Sequence, residues 1–392
     1  MKIQLKNPFA KKNADGENSE RFKKIRRILI IAAVIIAVIA TAFVAAKTVG
    51  NVAVSNVTDL FRKTLMSSSN GGWPLEVESL TLNEIKPVNN DILLLYNDKA
   101  QYITDKARTM GSIQFDASNS RVITNNGRSL SYDTIKGNVL LLSRTEKLGE
   151  TKSDGKIITA ALSSHGNFAL VTNGGENVLS KITVYSPSCK PVFEWNCADE
   201  RIIDAAFSPN GKRISILAVG VQNASIYSRL TVFDTDSTEA VQNLSYEYSM
   251  MVRVFVTSKN VTMVAGDNQF IVYDKNYDRI DTLEYSEDQL NGVSFDDSGN
   301  AVLALKEFGG AQTRIYRYSA KGVKTAETTV AGEADYVRSY LNSVAVVSGR
   351  NATVLNREGQ VIKTVTFENV PDKVIFTSNH FFTLEENTMK RY

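Results

Sequence analysis

The stretch opening at Ile203, IDAAFSPNGKRISILAV, reads as an apolar strand, a polar turn and a second apolar strand. The same layout returns as ITAALSSHGNFALVT from Ile158 and as GVSFDDSGNAVLAL from Gly292. Weaker copies are VRVFVTSKNVTMVA, YVRSYLNSVAVVS and DKVIFTSNHFFTL. A chain that repeats one small unit cannot bury that unit by itself, so the copies must stack or close on one another. The turns are rich in Asn, Asp, Ser and Gly, which accept left-handed or side-chain-capped backbone at little cost. The second strand of each copy is a nearly unbroken apolar run, as in Ile216 to Val219, Ala301 to Leu305 and Val344 to Val347. Such a strand is buried on both faces, which happens when one sheet is sandwiched between two others.

A second hairpin follows each copy: KITVYSPSCKPVFEW, RLTVFDTDSTEAVQNL, FIVYDKNYDRIDTLEY, RIYRYSAKGVKTAETTV and TVLNREGQVIKTVTF. Four strands per unit result. Corresponding turns at Ser163, Ser208, Ser258, Asp297, Asn342 and Ser378 recur at about 40 residues, the period of a propeller blade. Units open near Leu80, Ser112, Lys156, Arg201, Met250, Leu290, Glu333 and Val370, and the last stops after three strands at Tyr392. A propeller must close, and Pro74 to Ser79 (PLEVES) is available to supply the missing outer strand. The expectation is an all-β, eight-bladed propeller over residues 73–392. Seven blades is the alternative, because Leu80 to Ser153 is the least regular stretch and has room for one and a half units.

From Ile28 to Ala46 the chain runs ILIIAAVIIAVIATAFVAA directly behind Arg21, Lys23, Lys24, Arg26 and Arg27. As a helix this run is roughly 28 Å long, near the thickness of bilayer hydrocarbon. Basic residues are retained on the cytoplasmic side, so these five are the topology determinants of a single span, with the N-terminus inside and everything after Lys47 exported. Cleavage as a signal peptide at Val44 to Ala46 is the competing reading. A basic region of 27 residues and a long apolar run favour the uncleaved anchor. Residues 1–27 read as a disordered basic cytoplasmic tail, too short to bury a core. They hold nine Lys or Arg against Asp15, Glu17 and Glu20, a balance of 9 − 3 = +6; with a chain total of +3, the remainder carries 3 − 6 = −3. The exported part therefore shows no electrostatic footprint for nucleic acid. Residues 47–72 read as a stalk and flexible linker, with Val54, Val57, Leu60, Phe61 and Leu65 at helical spacing, followed by SSSNGG.

The chain resembles a family of uncharacterised bacterial membrane proteins, common in clostridia and related Gram-positive gut bacteria. They have a short basic tail, one membrane span and an exported propeller-like domain of unknown function. The residues that carry the resemblance are the anchor Ile28 to Ala46, the segment NNDILLLYNDKAQYITD from Asn89, and blade hairpins such as VYSPSCKPVFEWN ending at Asn196. The resemblance covers the whole chain and implies no known activity.

Chemical signatures are sparse. His165 and His380 both fall in the turn between the first and second strands of a unit, three blades apart, so they cannot share a metal and read as solvated turn residues. Cys189 falls in a hairpin turn and Cys197 at the far end of the following strand, beyond the roughly 7 Å Cα limit for a disulfide. Asp296, Asp297, Ser298, Gly299 and Asn300 superficially suggest a calcium loop, but they lack its spaced ligands and terminal Glu and stand where other units carry SPNG. Asn56, Asn223, Asn243, Asn260 and Asn351 open glycosylation sequons that matter only in a eukaryotic secretory pathway. Trp195, on a predicted outer strand, is the candidate surface aromatic contact, with blade burial as its other reading.

The expected function is a membrane-anchored, extracytoplasmic, non-enzymatic scaffold that holds another envelope or membrane protein, with no cofactor, metal or nucleic acid. The alternative is binding or hydrolysis of a wall polysaccharide by carboxylates gathered at the propeller channel. An exposed apolar patch on one face favours the first reading. Carboxylates converging about 5 to 9 Å apart in a channel pocket favour the second.

Overall fold

The computed structural model describes Asp59 and residues 71–392, apart from Ser286 and Phe308. Every described residue belongs to one compact unit, Thr58–Tyr392. The apolar run Ile28 to Ala46, the basic cluster Arg21 to Arg27 and the stalk positions Val54, Val57, Leu60, Phe61 and Leu65 lie outside the described residues. Among the described residues no helix is long and apolar enough to cross a membrane.

The described strands form eight four-stranded antiparallel sheets, so the ring has eight blades rather than seven. Blades 1 to 7 span 82–114, 120–152, 157–197, 201–247, 251–284, 289–331 and 336–366, and blade 8 begins at Lys373. Within each blade we name the strands a to d from the channel outward; neighbouring blades touch mainly through their a strands. Strand b is the buried middle of each sheet. All of Asp91–Tyr96 in blade 1 and Thr262–Gly266 in blade 5 is buried, as their unbroken apolar runs require. Strand d alternates more and less exposed residues, buried or half-buried against exposed in Pro191–Cys197 and half-buried against exposed in Lys324–Ala331.

One boundary departs from the sequence reading. Ser112 belongs to the outer strand of blade 1, Thr109–Gln114, and blade 2 starts at Ser120–Asn125. That outer strand buries little more than Met110, so it carries no apolar run to mark it in the sequence.

The ring closes as the chain ends suggested. Blade 8 has the order Leu75–Glu76, Thr388–Arg391, His380–Glu385, Lys373–Thr377, so its outermost strand comes from the N-terminal side of the domain. Leu75 pairs with Met389 and Glu76 with Thr388. Two residues of strand make a weak seam, and side chains reinforce it. Val77 N donates to Asn387 O at 2.8 Å, and Ser79 and Asn387 join through their side chains. The Trp73 ring lies 5.0 Å from that of Phe382, and its Nε1 donates to Asp105 O of blade 1 at 2.9 Å.

Two devices recur around the ring. Strand a carries a bulge at the same place in blades 1, 3, 4, 5 and 6, and in blades 1 and 4 it aims a carboxylate at the next blade. Glu84 accepts from Val122 N at 3.3 Å, and Asp204 from Val254 N at 2.9 Å. The a–b turns also link successive blades. Asn125 Nδ2 donates to Leu162 O, Asn300 Nδ2 to Leu341 O and Thr377 Oγ1 to Asn89 O. The a–b and c–d turns share one face of the ring; the b–c and d–a loops share the other.

Candidate functional site

At the channel, a cavity of about 550 Å³ opens between blades 7, 8 and 1, lined by Glu84, Lys86, Asp335, Tyr336, Asp372 and Lys373 among others. Its polar groups are engaged in holding the loops. Glu84 pairs with Lys86 at 3.6 Å besides bonding Val122 N. Asp335 accepts from Gly349 N at 2.6 Å, Asp372 from Glu386 N at 2.9 Å, and Lys373 Nζ donates to Asn83 O at 2.7 Å. Asp204, in the wall of blade 4, is pushed above the usual carboxylate range by burial, against the pull of Arg253 Nε at 3.3 Å. Its oxygen already serves the backbone of blade 5, which makes it a joint residue.

The b–c hairpin of blade 4 departs from its neighbours. Arg213–Gln222 and Ser225–Asp234 are ten residues each, against five to seven for the b and c strands of the other complete blades. Strand a stops pairing at Arg201 with Val219, so Gly220, Val221 and Gln222 bond only to strand c and leave their other edge open. Val221 and Ile226, directly opposed across the hairpin, are 71 % and 48 % exposed. The d–a loop beside them adds Tyr248 at 77 % and Met250 at 40 %, giving an apolar patch on the b–c and d–a face.

The base of this hairpin is rigid. Buried Glu200 pairs with Arg229 Nε at 3.1 Å, and the Arg229 guanidinium lies 5.6 Å from the Tyr227 ring centroid. A Cβ on Gly220 would lie 2.7 Å from the Tyr227 phenol, so only glycine lets that ring lie across the strand. Ser228 Oγ donates to Ser249 O at 2.9 Å and accepts from Met251 N at 2.8 Å, which fixes the loop carrying Tyr248 and Met250. A rigid stem with an open edge and apolar side chains suits capture of another polypeptide.

The residues singled out from sequence are dispersed. Trp195 is half-buried, its ring 5.2 Å from Phe233, so it packs the joint between blades 3 and 4. His165 Nδ1 lies 3.2 Å from Ser164 Oγ and His380 Nδ1 lies 2.7 Å from Ser378 O, both beside a–b turns. Cys189 and Cys197 are free, and burial raises both thiols above the ordinary range. Asp296 is a turn cap: its Oδ1 accepts from Ser298 N at 3.0 Å and Asn300 N at 2.9 Å. Among the described residues no group of His, Cys, Asp and Glu is gathered to hold a metal.

Two features escaped the sequence reading. The long hairpin has a signal in the sequence, a run without polar side chains from Ile216 through Val221 that outlasts those of the other units. The other is Asp59, expected in the stalk but fully buried among blade residues. Gly71, expected in a flexible break, is pressed so close to blade 1 that a Cβ would stand 2.6 Å from Lys106 O.

The model of the Family of unknown function (DUF5711) matches residues 66–392. No curated protein matches the chain. Among solved structures, the chain is similar to the β-propeller domain of Myceliophteria thermophila Cps50 (Swd1). That likeness has a TM-score of 0.47 and 11 % identity, and covers 70 % of this chain and 94 % of that one.

Proposed function

We propose that this chain, which belongs to the Family of unknown function (DUF5711), is a non-enzymatic protein-binding scaffold of the cell envelope. In this reading a single span at Ile28 to Ala46 anchors it with the N-terminus inside, and the propeller is displayed outside the membrane. The observation that carries the binding role is the projecting hairpin of blade 4, with exposed Val221, Ile226, Tyr248 and Met250 beside an unpaired strand edge. That chemistry fits an extended segment of another envelope protein. Its backbone adds to Gly220–Gln222, and its apolar side chains cover the patch. The channel carboxylates support the same choice, since Glu84, Asp335 and Asp372 each hold backbone or a lysine in place.

The test is crosslinking in intact cells followed by affinity purification of the full chain from membranes, with Val221→Ser/Ile226→Ser/Tyr248→Ala in parallel. A partner captured by the natural chain and lost by the variant is the expected result. Equal recovery from both, or recovery of no envelope protein under several growth conditions, overturns the reading.

A further inference from the structure

On the face opposite the hairpin, a carboxylate from far upstream is set into the joint of blades 1 and 2. Asp59 is 0 % exposed. Its Oδ1 accepts from Thr145 Oγ1 at 2.6 Å and Ser143 Oγ at 3.4 Å; its Oδ2 accepts from the backbone N and the Nε of Arg144, both at 3.3 Å. All these donors come from one c–d turn of blade 2, Ser143 to Thr145. That turn is itself fixed, because Ser143 Oγ accepts from Thr145 N and Glu146 N.

Arg144 is shared. Its Nη1 donates at 2.7 Å to Asp91 Oδ2, another fully buried carboxylate, at the start of strand b in blade 1. Arg128, also fully buried, lies in the same field. Burial lowers its pKa, and the negative charge of Asp59 works against that lowering. Removing the Asp59 carboxylate would leave the Thr145 hydroxyl and the backbone N and Nε of Arg144 without this acceptor inside a buried joint. The family match begins at residue 66, downstream of Asp59.

We propose that the Ser143–Thr145 turn, with Arg144, Asp91 and Arg128, is a carboxylate-receiving socket, and that Asp59 seats in it as an intrachain latch. The latch fastens the chain at residue 59 to the a–b and c–d face of the ring. It stands apart from the partner-binding reading, since none of its residues belongs to the blade 4 hairpin.

The experiment uses the full chain purified from membranes, with Asp59→Asn, Thr145→Val and the double variant, each followed by thermal melting and by trypsin cleavage after Arg62 or Lys63. Asp59→Asn is expected to lower the melting temperature and to raise the cleavage rate at least about tenfold, as expected when a local tie is lost. The double variant, made as Asp59→Ala with Thr145→Val, should cost less than the sum of those two single changes, because both remove the Thr145 Oγ1 bond to residue 59. In Asp59→Ala, sodium formate should restore part of the melting temperature where sodium chloride at equal ionic strength does not. Unchanged cleavage in Asp59→Asn, strict additivity in the double variant, or equal effects of formate and chloride would overturn the latch.

Discussion

Blade 8 and blade 4 follow one four-strand plan and depart from it in opposite directions. Blade 8 is cut to what closure requires: a four-residue third strand, Thr388–Arg391, and a two-residue outer strand, Leu75–Glu76. Its deficit in backbone pairing is offset by side chains, with Trp73, Leu75, Val77, Phe382, Leu384 and Met389 gathered in one apolar cluster. Blade 4 carries more chain than the ring needs. Its b and c strands overrun their neighbours and end in Val221 and Ile226, which touch solvent instead of a core. A segment kept short by geometry reports on folding. A segment that exceeds the geometry and exposes apolar surface reports on something the fold alone does not demand.

The widest separation of the two blades comes from removing residues 73–79. This deletes the outer strand, the Trp73 anchor and Val77, and exposes the edge of Thr388–Arg391. We expect a loss of more than about 3 kcal/mol, with self-association through the bared edge. Thermal melting and size-exclusion chromatography check it, and an unchanged melting temperature would break the closure argument. Trp73→Ala leaves the strand and removes the half-buried ring against Phe382 and the bond to Asp105 O. It should cost about 2 kcal/mol, read from the denaturant midpoint.

Within blade 4 the comparison sharpens between base and tip. Burial raises the pKa of Asp204 above its unfolded value. Its contribution to stability is therefore fully present below the ordinary Asp pKa and is lost as pH rises through the raised folded value. The melting temperature of the natural chain relative to Asp204→Asn should thus be higher near pH 3.5 than near pH 7. A difference that grows toward neutral pH would contradict this. At the tip, Val221→Ser with Ile226→Ser should shift stability by no more than about 0.5 kcal/mol, because neither side chain is buried. A larger loss would place the hairpin end in the fold's own core and remove the reason for assigning it a partner.

Much of the ring was legible from residues. The buried b strands announced themselves as apolar runs, and the missing strand of the last unit pointed to PLEVES. The strand a bulges at Leu82/Glu84 and Ile202/Asp204 were not legible, because a one-residue insertion leaves the apolar pattern almost unchanged. Strand d of blade 1 was misplaced for want of apolar residues. The site was less visible than the fold. An exposed hairpin end is written in the same Val and Ile as a buried strand, and only the register with strand a shows where burial stops. Asp59 gave no local sign of its role, since its donors lie in a turn more than 80 residues away.

The seam of blade 8 also sets an order of events. Leu75 belongs among the first residues of the domain to be made and Met389 among the last, yet they are partners. Until the final strand has emerged, the earlier blades stand in an open arc, and the apolar face of blade 1 that packs against blade 8 lacks its full cover. Closing a loop that spans nearly the whole domain is the slowest kind of contact to form. The ring therefore becomes whole only after Thr388–Arg391 has been made, and protection of the growing arc from aggregation is a demand on whatever surrounds it until then.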